Sequence, residues 1–274
     1  MELEADRADG VVIGFGDVCG ALAELRTRGL ATLSSLAADE WLRPSRRELW
    51  SVHDVVRHVR DVAKIHLAHL RGDGSTFPTD EPFDGREGPL GWLRETAGET
   101  PAETMRDLDQ LVPLELDALA RRVQRGGNGI EDGPYGPVHW TVFTTHIFWD
   151  TWVHERDIAQ PLGRGHRATA GEDSVAALYG LLVASIPAAL INHSFETTVG
   201  LTAASHPRRV VELTPGRAVL KSASPQGEAE LEGELLGVLD ALVGRGPALE
   251  TVLVGNPSRR EPLTWLRAFM VPDP

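Results

Sequence analysis

Residues 139–163 read HWTVFTTHIFWDTWVHERDIAQPLG. Stepped at about 100° per residue, His146, Asp150, Val153, His154 and Asp157 fall on one side of a helix together with Phe143 and Ile147. Aromatic and aliphatic neighbours mark that side as inward, so four ionisable groups share a buried face. Charge buried in this way is costly unless it is paired, hydrogen-bonded or bound to a metal. The helix is predicted to begin near Val138 and to stop at Pro161, which cannot continue it. A carboxylate and an imidazole four positions apart point the same way. Asp150 and His154 can therefore chelate one divalent ion, the alternative being an Asp–His pair that stabilises the core.

A third ligand must come from another helix, and the sequence offers one. Residues 52–72, VHDVVRHVRDVAKIHLAHLRG, follow Ser51, and Asp54 completes a capping-box pattern with it. Gly72 follows the periodic run as a stop. Val55, Val59, Val62 and Leu70 form the apolar stripe, with Arg57, Arg60, Asp61 and Lys64 on the opposite, outward side. His58 stands on the shoulder of the stripe, where an antiparallel neighbour would bring it to Asp150 and His154. Two imidazoles and one carboxylate leave coordination positions open, the pattern of a catalytic rather than a structural site. His53 is read as exposed, and His66 and His69 as packing or pocket-lining residues. Trp50, Trp149 and Trp152 either wall a pocket or belong to the core.

Further helices are predicted over 16–37, 101–125 and 172–190, with a Gly-, Pro- and Asp-rich loop over 72–89. Beyond about Thr197 the texture changes. The runs RRVVEL (208–213), RAVLKS (217–222) and EAELEG (228–233) read as strands, and ELLGVLDALVG (234–244) and PLTWLRAF (262–269) as helical pieces. The expected class is α+β, with a domain boundary between His193 and His206.

Composition narrows the function. The 274 residues carry 27 Lys and Arg against 40 Asp and Glu, a net charge of −13, which argues against nucleic acid or an anionic membrane surface as partner. No run of 18 apolar residues occurs, and the acidic start does not read as a signal peptide, so a cytoplasmic protein is expected. The single cysteine, Cys19, fits a reducing compartment and makes neither an internal disulfide nor a thiolate zinc site alone. Thiol chemistry, if present, uses a thiol from outside. No Walker A motif, dinucleotide fingerprint or nucleophile elbow is present.

The tracts LWSVHDVVRHV (49–59), FWDTWVHERDIAQPLG (148–163) and ALVGRGP (241–247), in that order and spacing, resemble the mycothiol-dependent maleylpyruvate isomerase family. The resemblance covers most of the chain. It implies an N-terminal DinB-like four-helix bundle, residues 1–196, followed by a smaller sterol-carrier-like α+β domain, residues 197–274. It implies a divalent metal, zinc in the family, on His58, Asp150 and His154, with mycothiol as the low-molecular-weight thiol. Arg245 matches a family arginine that holds a substrate carboxylate, a task suited to a bidentate guanidinium. Asp157, in the text H-x-x-D-I, either accepts the proton of a ligand imidazole or anchors the helix end. His146 is read as a pocket acid or base, or as an inward histidine satisfied by its neighbours. One departure stands out: Asp150 occupies a position where the family has glutamate. The implied chemistry is a metal-activated thiolate adding to an electrophilic carbon of a small anionic substrate, as in an isomerase or a thiol S-transferase. The alternatives are a thiol-independent hydrolase, lyase or cyclase on the same scaffold, and a non-catalytic small-molecule or metal-binding protein.

Overall fold

The computed structural model describes residues 3–5, 15–73, 87–126, 129–133, 136–165, 168–169, 171–173, 175–176, 179, 197–203, 206–214, 217–222, 229–246 and 249–255. The chain divides into two compact units, Phe15–Gly171 and Glu172–Pro274 together with Met1–Gly14. The first residues go with the second unit because Leu3–Ala5 pairs with a strand there.

The first unit is built on four long helices: α1 (Phe15–Ser34), α2 (Val52–Arg71), α4 (Pro101–Arg125) and α5 (Trp140–Ala159), with the short α3 (Glu87–Glu95) after α2. α2 starts on a full capping box, Ser51 Oγ accepting from the Asp54 amide while the Asp54 carboxylate accepts from the Ser51 amide. It ends at Gly72, whose φ of 78° suits a residue without a Cβ. α4 repeats the device with Thr100 and Glu103 and places Pro101 in its first turn, where a missing amide hydrogen costs nothing. Trp41, Trp50, Val52, Val55 and Val56 pack with Leu33, Leu108, Val112 and Ile158 into a core that joins all four long helices.

Polar groups hold the same helices in register. The Arg26 guanidinium on α1 grips the Glu115 carboxylate on α4 through two bonds of 3.0 and 3.1 Å. His66 on α2 donates from Nδ1 to the same carboxylate at 2.8 Å, and its Nε2 meets Thr144 Oγ1 on α5 at 3.1 Å. Glu115 and His66 are wholly buried.

Two expectations for α2 are corrected. Arg57 and Arg60 are buried rather than outward. Arg57 donates to Leu93 O and Thr96 Oγ1 and pairs with Asp54, while Arg60 pairs with Asp61 and Glu99. Their cover is α3 and the turn behind it, a segment whose Gly- and Pro-interrupted sequence carries no clear helical period. His53 is also buried, its Nε2 meeting Thr104 Oγ1 at 3.0 Å and its ring meeting Trp41 edge-on. The loop expected over 72–89 lies mostly outside the described residues.

A two-stranded hairpin, β2 (Ile130–Gly133) and β3 (Gly136–His139), leads into α5. In the second unit a six-stranded sheet runs in the order β1-β6-β5-β4-β7-β8. Its strands are β1 (Leu3–Ala5), β4 (Thr197–Ala203), β5 (His206–Thr214), β6 (Arg217–Ser222), β7 (Ala229–Gly233) and β8 (Leu253–Gly255). β4, β5 and β6 form an antiparallel meander, β1 joins β6 and β7 joins β4 in parallel, and β8 pairs antiparallel with β7. Helices α6 (Leu235–Leu242) and α7 (Leu249–Val252) complete the described part. The architecture is α+β, as the alternation of runs beyond residue 197 implies. Most of the helix expected over 172–190, and the whole of 262–269, lie outside the described residues. Among the described residues no helix is long and apolar enough to cross a membrane.

Candidate metal centre

α2 and α5 pack against each other and bring His58, Asp150 and His154 together. Each is buried, and each offers one ligand atom within 4.8 Å of the others. Asp150 Oδ1 lies 3.4 Å from His58 Nε2 and 3.5 Å from His154 Nε2. Two donors bound at ordinary zinc distances of about 2.0–2.1 Å in a tetrahedron are about 3.3 Å apart, so these separations match a shared ion with little rearrangement. Asp150 Oδ2 is buried with no hydrogen-bond partner, and an unpaired buried carboxylate oxygen is costly. A donor set of two imidazoles and one carboxylate fits a divalent ion of intermediate softness.

The electrostatics follow from this crowding. Burial disfavours the charge on Asp150, but the His154 and His58 imidazoles outweigh it, and the carboxyl sits well below its usual range. Burial likewise disfavours a charged His154. Asp150 and Asp157 prevail, and without a metal the ring titrates at about 9. His154 Nδ1 donates to Asp157 Oδ2 at 3.0 Å, which directs Nε2 toward Asp150. A carboxylate behind a histidine in this way fixes its tautomer and its orientation.

Aromatic rings close round the cluster. Trp50 stacks on His154 at 6.1 Å between centroids and tilts against His58 at 5.3 Å, while Arg47 lies over the Trp50 ring. Trp92, on α3, lies parallel to His58 at 6.3 Å. Trp50, which the sequence leaves open between pocket wall and core, both packs in the core and lies against the histidines, whereas Trp92 is signalled only by the single tryptophan in PLGWLRE. Trp149 and Trp152 are buried beside Asp150.

The remaining candidates stand elsewhere. His146 lies one turn before Asp150 on α5, outside the three-residue cluster, and burial lowers its pKa to about 4. His69 pairs with Glu131 through Nδ1 at 2.7 Å and packs on Phe143. Arg245 belongs to the second unit, in the turn after α6, where its guanidinium donates to Val243 O at 2.8 Å. Cys19 is on α1, and burial pushes its thiol up to about 11, so it stays protonated at neutral pH.

A family model described as the mycothiol maleylpyruvate isomerase N-terminal domain matches residues 22–159, a stretch that contains all three residues of the cluster. Two crystal structures share the fold. That of the mycothiol-dependent maleylpyruvate isomerase superposes with a TM-score of 0.61 at 15% identity, covering 86% of this chain and 91% of that one. That of a histidine-to-alanine mutant of the mycothiol-dependent maleylpyruvate isomerase gives 0.59 at 16% identity, covering 85% and 90%. No curated protein matches the chain by sequence.

Proposed function

The chain belongs to the mycothiol maleylpyruvate isomerase family by its N-terminal domain, and from that premise we propose that it is a metal-dependent enzyme using mycothiol to transform a small anionic electrophile, by isomerisation or by thiol S-transfer. His58, Asp150 and His154 would hold the ion, zinc being expected. The observation that carries the reading is the convergence of these three buried residues from two helices, with Asp150 Oδ2 left unpartnered. A divalent ion held there supplies a Lewis acid that lowers the pKa of a thiol or polarises a carbonyl oxygen.

The protein's own residues prepare the place. Asp157 accepts the Nδ1 proton of His154 and keeps Nε2 available as a ligand. Trp50 flanks both histidines, and Trp92 lies against His58. With its pKa near 4, His146 is neutral at neutral pH and at most a weak proton acceptor. Arg245 is assigned the substrate carboxylate on the strength of the family resemblance. A thiol from outside is required, since Cys19 offers no thiolate at neutral pH.

Thermal unfolding tests the thiol. Mycothiol is expected to raise the Tm of the zinc-loaded protein by several degrees at saturating concentration, and removal of the metal is expected to abolish the shift. No shift with zinc present, or a shift that survives complete metal removal, overturns thiol binding at the metal.

The shorter carboxylate has its own test. Because Asp150 Oδ1 already stands nearly equidistant from both Nε2 atoms, the donor set is arranged around aspartate. Asp150→Glu inserts a methylene into a buried site and is expected to weaken zinc binding about tenfold, the effect of modest overpacking. Competition with a chromophoric chelator measures it; unchanged affinity would show the substitution to be incidental.

A further inference from the structure

We infer that the three ligands are not equivalent: Asp150 and His154, backed by Asp157, carry the metal affinity, and His58 is the exchangeable position. The inference rests on the metal reading above and goes beyond it by dividing the work among the ligands. Asp150 and His154 sit four residues apart on one rigid helix, so their relative placement is set before any ion arrives. The His154 ring is further fixed by its 3.0 Å bond to the fully buried Asp157.

His58 has no such anchor. It comes from a separate helix, and its Nδ1 is buried without a hydrogen-bond partner. Apart from the 3.4 Å contact of its Nε2 with Asp150 Oδ1, rings hold it: Trp50 tilted at 5.3 Å, Trp92 parallel at 6.3 Å with 16° between planes, and the edge of His154 at 4.9 Å. Turning of the His58 ring gives up its 3.4 Å contact with Asp150 and breaks no hydrogen bond at Nδ1. Turning of His154 breaks the bond to Asp157. A ligand histidine without a partner on its far nitrogen is therefore the one that yields its position to an incoming thiol or substrate oxygen.

Cobalt(II) is the probe, since its absorption reports coordination and its affinity can be titrated. His58→Ala is expected to lower cobalt affinity by no more than about tenfold, while Asp157→Asn lowers it by about 10–100-fold and His154→Ala by more. With excess 2-mercaptoethanol, wild type and His58→Ala are expected to give the same cobalt spectrum, because the histidine has already given way. Should alanine collapse the slot between the tryptophans, as judged by far-UV circular dichroism and unfolding, His58→Gln replaces it in both measurements. The inference is overturned if the His58 variant loses as much affinity as His154→Ala, if Asp157→Asn binds as wild type does, or if the two thiol complexes differ spectrally. A wild-type protein that binds no cobalt and no zinc overturns the metal reading itself.

Discussion

Glu115→Ala is expected to destabilise the helical unit by about 3–5 kcal/mol, the cost of breaking a buried ion pair from one side. The carboxylate receives two bonds from Arg26 and one from His66, so its removal strands a guanidinium that is only 3% exposed. Urea titration of the full chain, with the helical signal followed at 222 nm, measures the loss. Pairing the substitution with Arg26→Met is expected to recover much of it, because the stranded charge goes too. A loss below about 1 kcal/mol would mean that water reaches the pair and screens it. The pH dependence has a definite sign. Burial disfavours the Glu115 charge, yet Arg26 holds the pKa below its ordinary 4.5. The pair's contribution is therefore fully present above about pH 4.5 and is lost as the pH falls through the lower folded value.

The second large effect is the pH dependence of metal binding. In the metal-free protein His154 titrates at about 9, so near neutrality an ion must displace a proton from it. Apparent zinc affinity is accordingly expected to rise about tenfold per pH unit between pH 6 and 8.5, on account of this residue alone, and to level off near pH 9. Calorimetry at pH 7.5 in buffers of different ionisation enthalpy is expected to register the released proton. Asp157→Asn, by removing part of what sustains the charged ring, is expected to bring the plateau to lower pH. An affinity that is flat from pH 6 to 8.5 would contradict the arrangement. Without metal, the His154 charge stabilises the fold fully below its ordinary 6.5, and that contribution is lost as the pH rises through about 9.

Most of the bundle was legible because its helices announce themselves locally. Ser51, Asp54 and Gly72 bracket α2 by capping chemistry, and the spacing of Asp150 and His154 on α5 survives in any packing. The hidden parts depend on partners distant in sequence. α3 is short and interrupted by Gly88, Pro89 and Gly91, so its periodicity is faint. Without it, Arg57 and Arg60 read as solvent-facing. The β2–β3 hairpin lies in a Gly-rich stretch that reads as a break, and β1 pairs in parallel with β6 more than 200 residues away, which no local pattern encodes. The Arg26–Glu115–His66 network escaped notice for the same reason: three residues on three helices acquire meaning only once the helices are packed.

In the proposed function His58, Asp150 and His154 bind one divalent ion. Elemental analysis at pH 8 of protein reconstituted with zinc and dialysed tests it most directly, with His154→Ala treated in parallel and shown by circular dichroism to be folded. The expected result is one zinc per wild-type chain and almost none in the variant. A full equivalent retained by His154→Ala, or none held by the wild type, would contradict the claim.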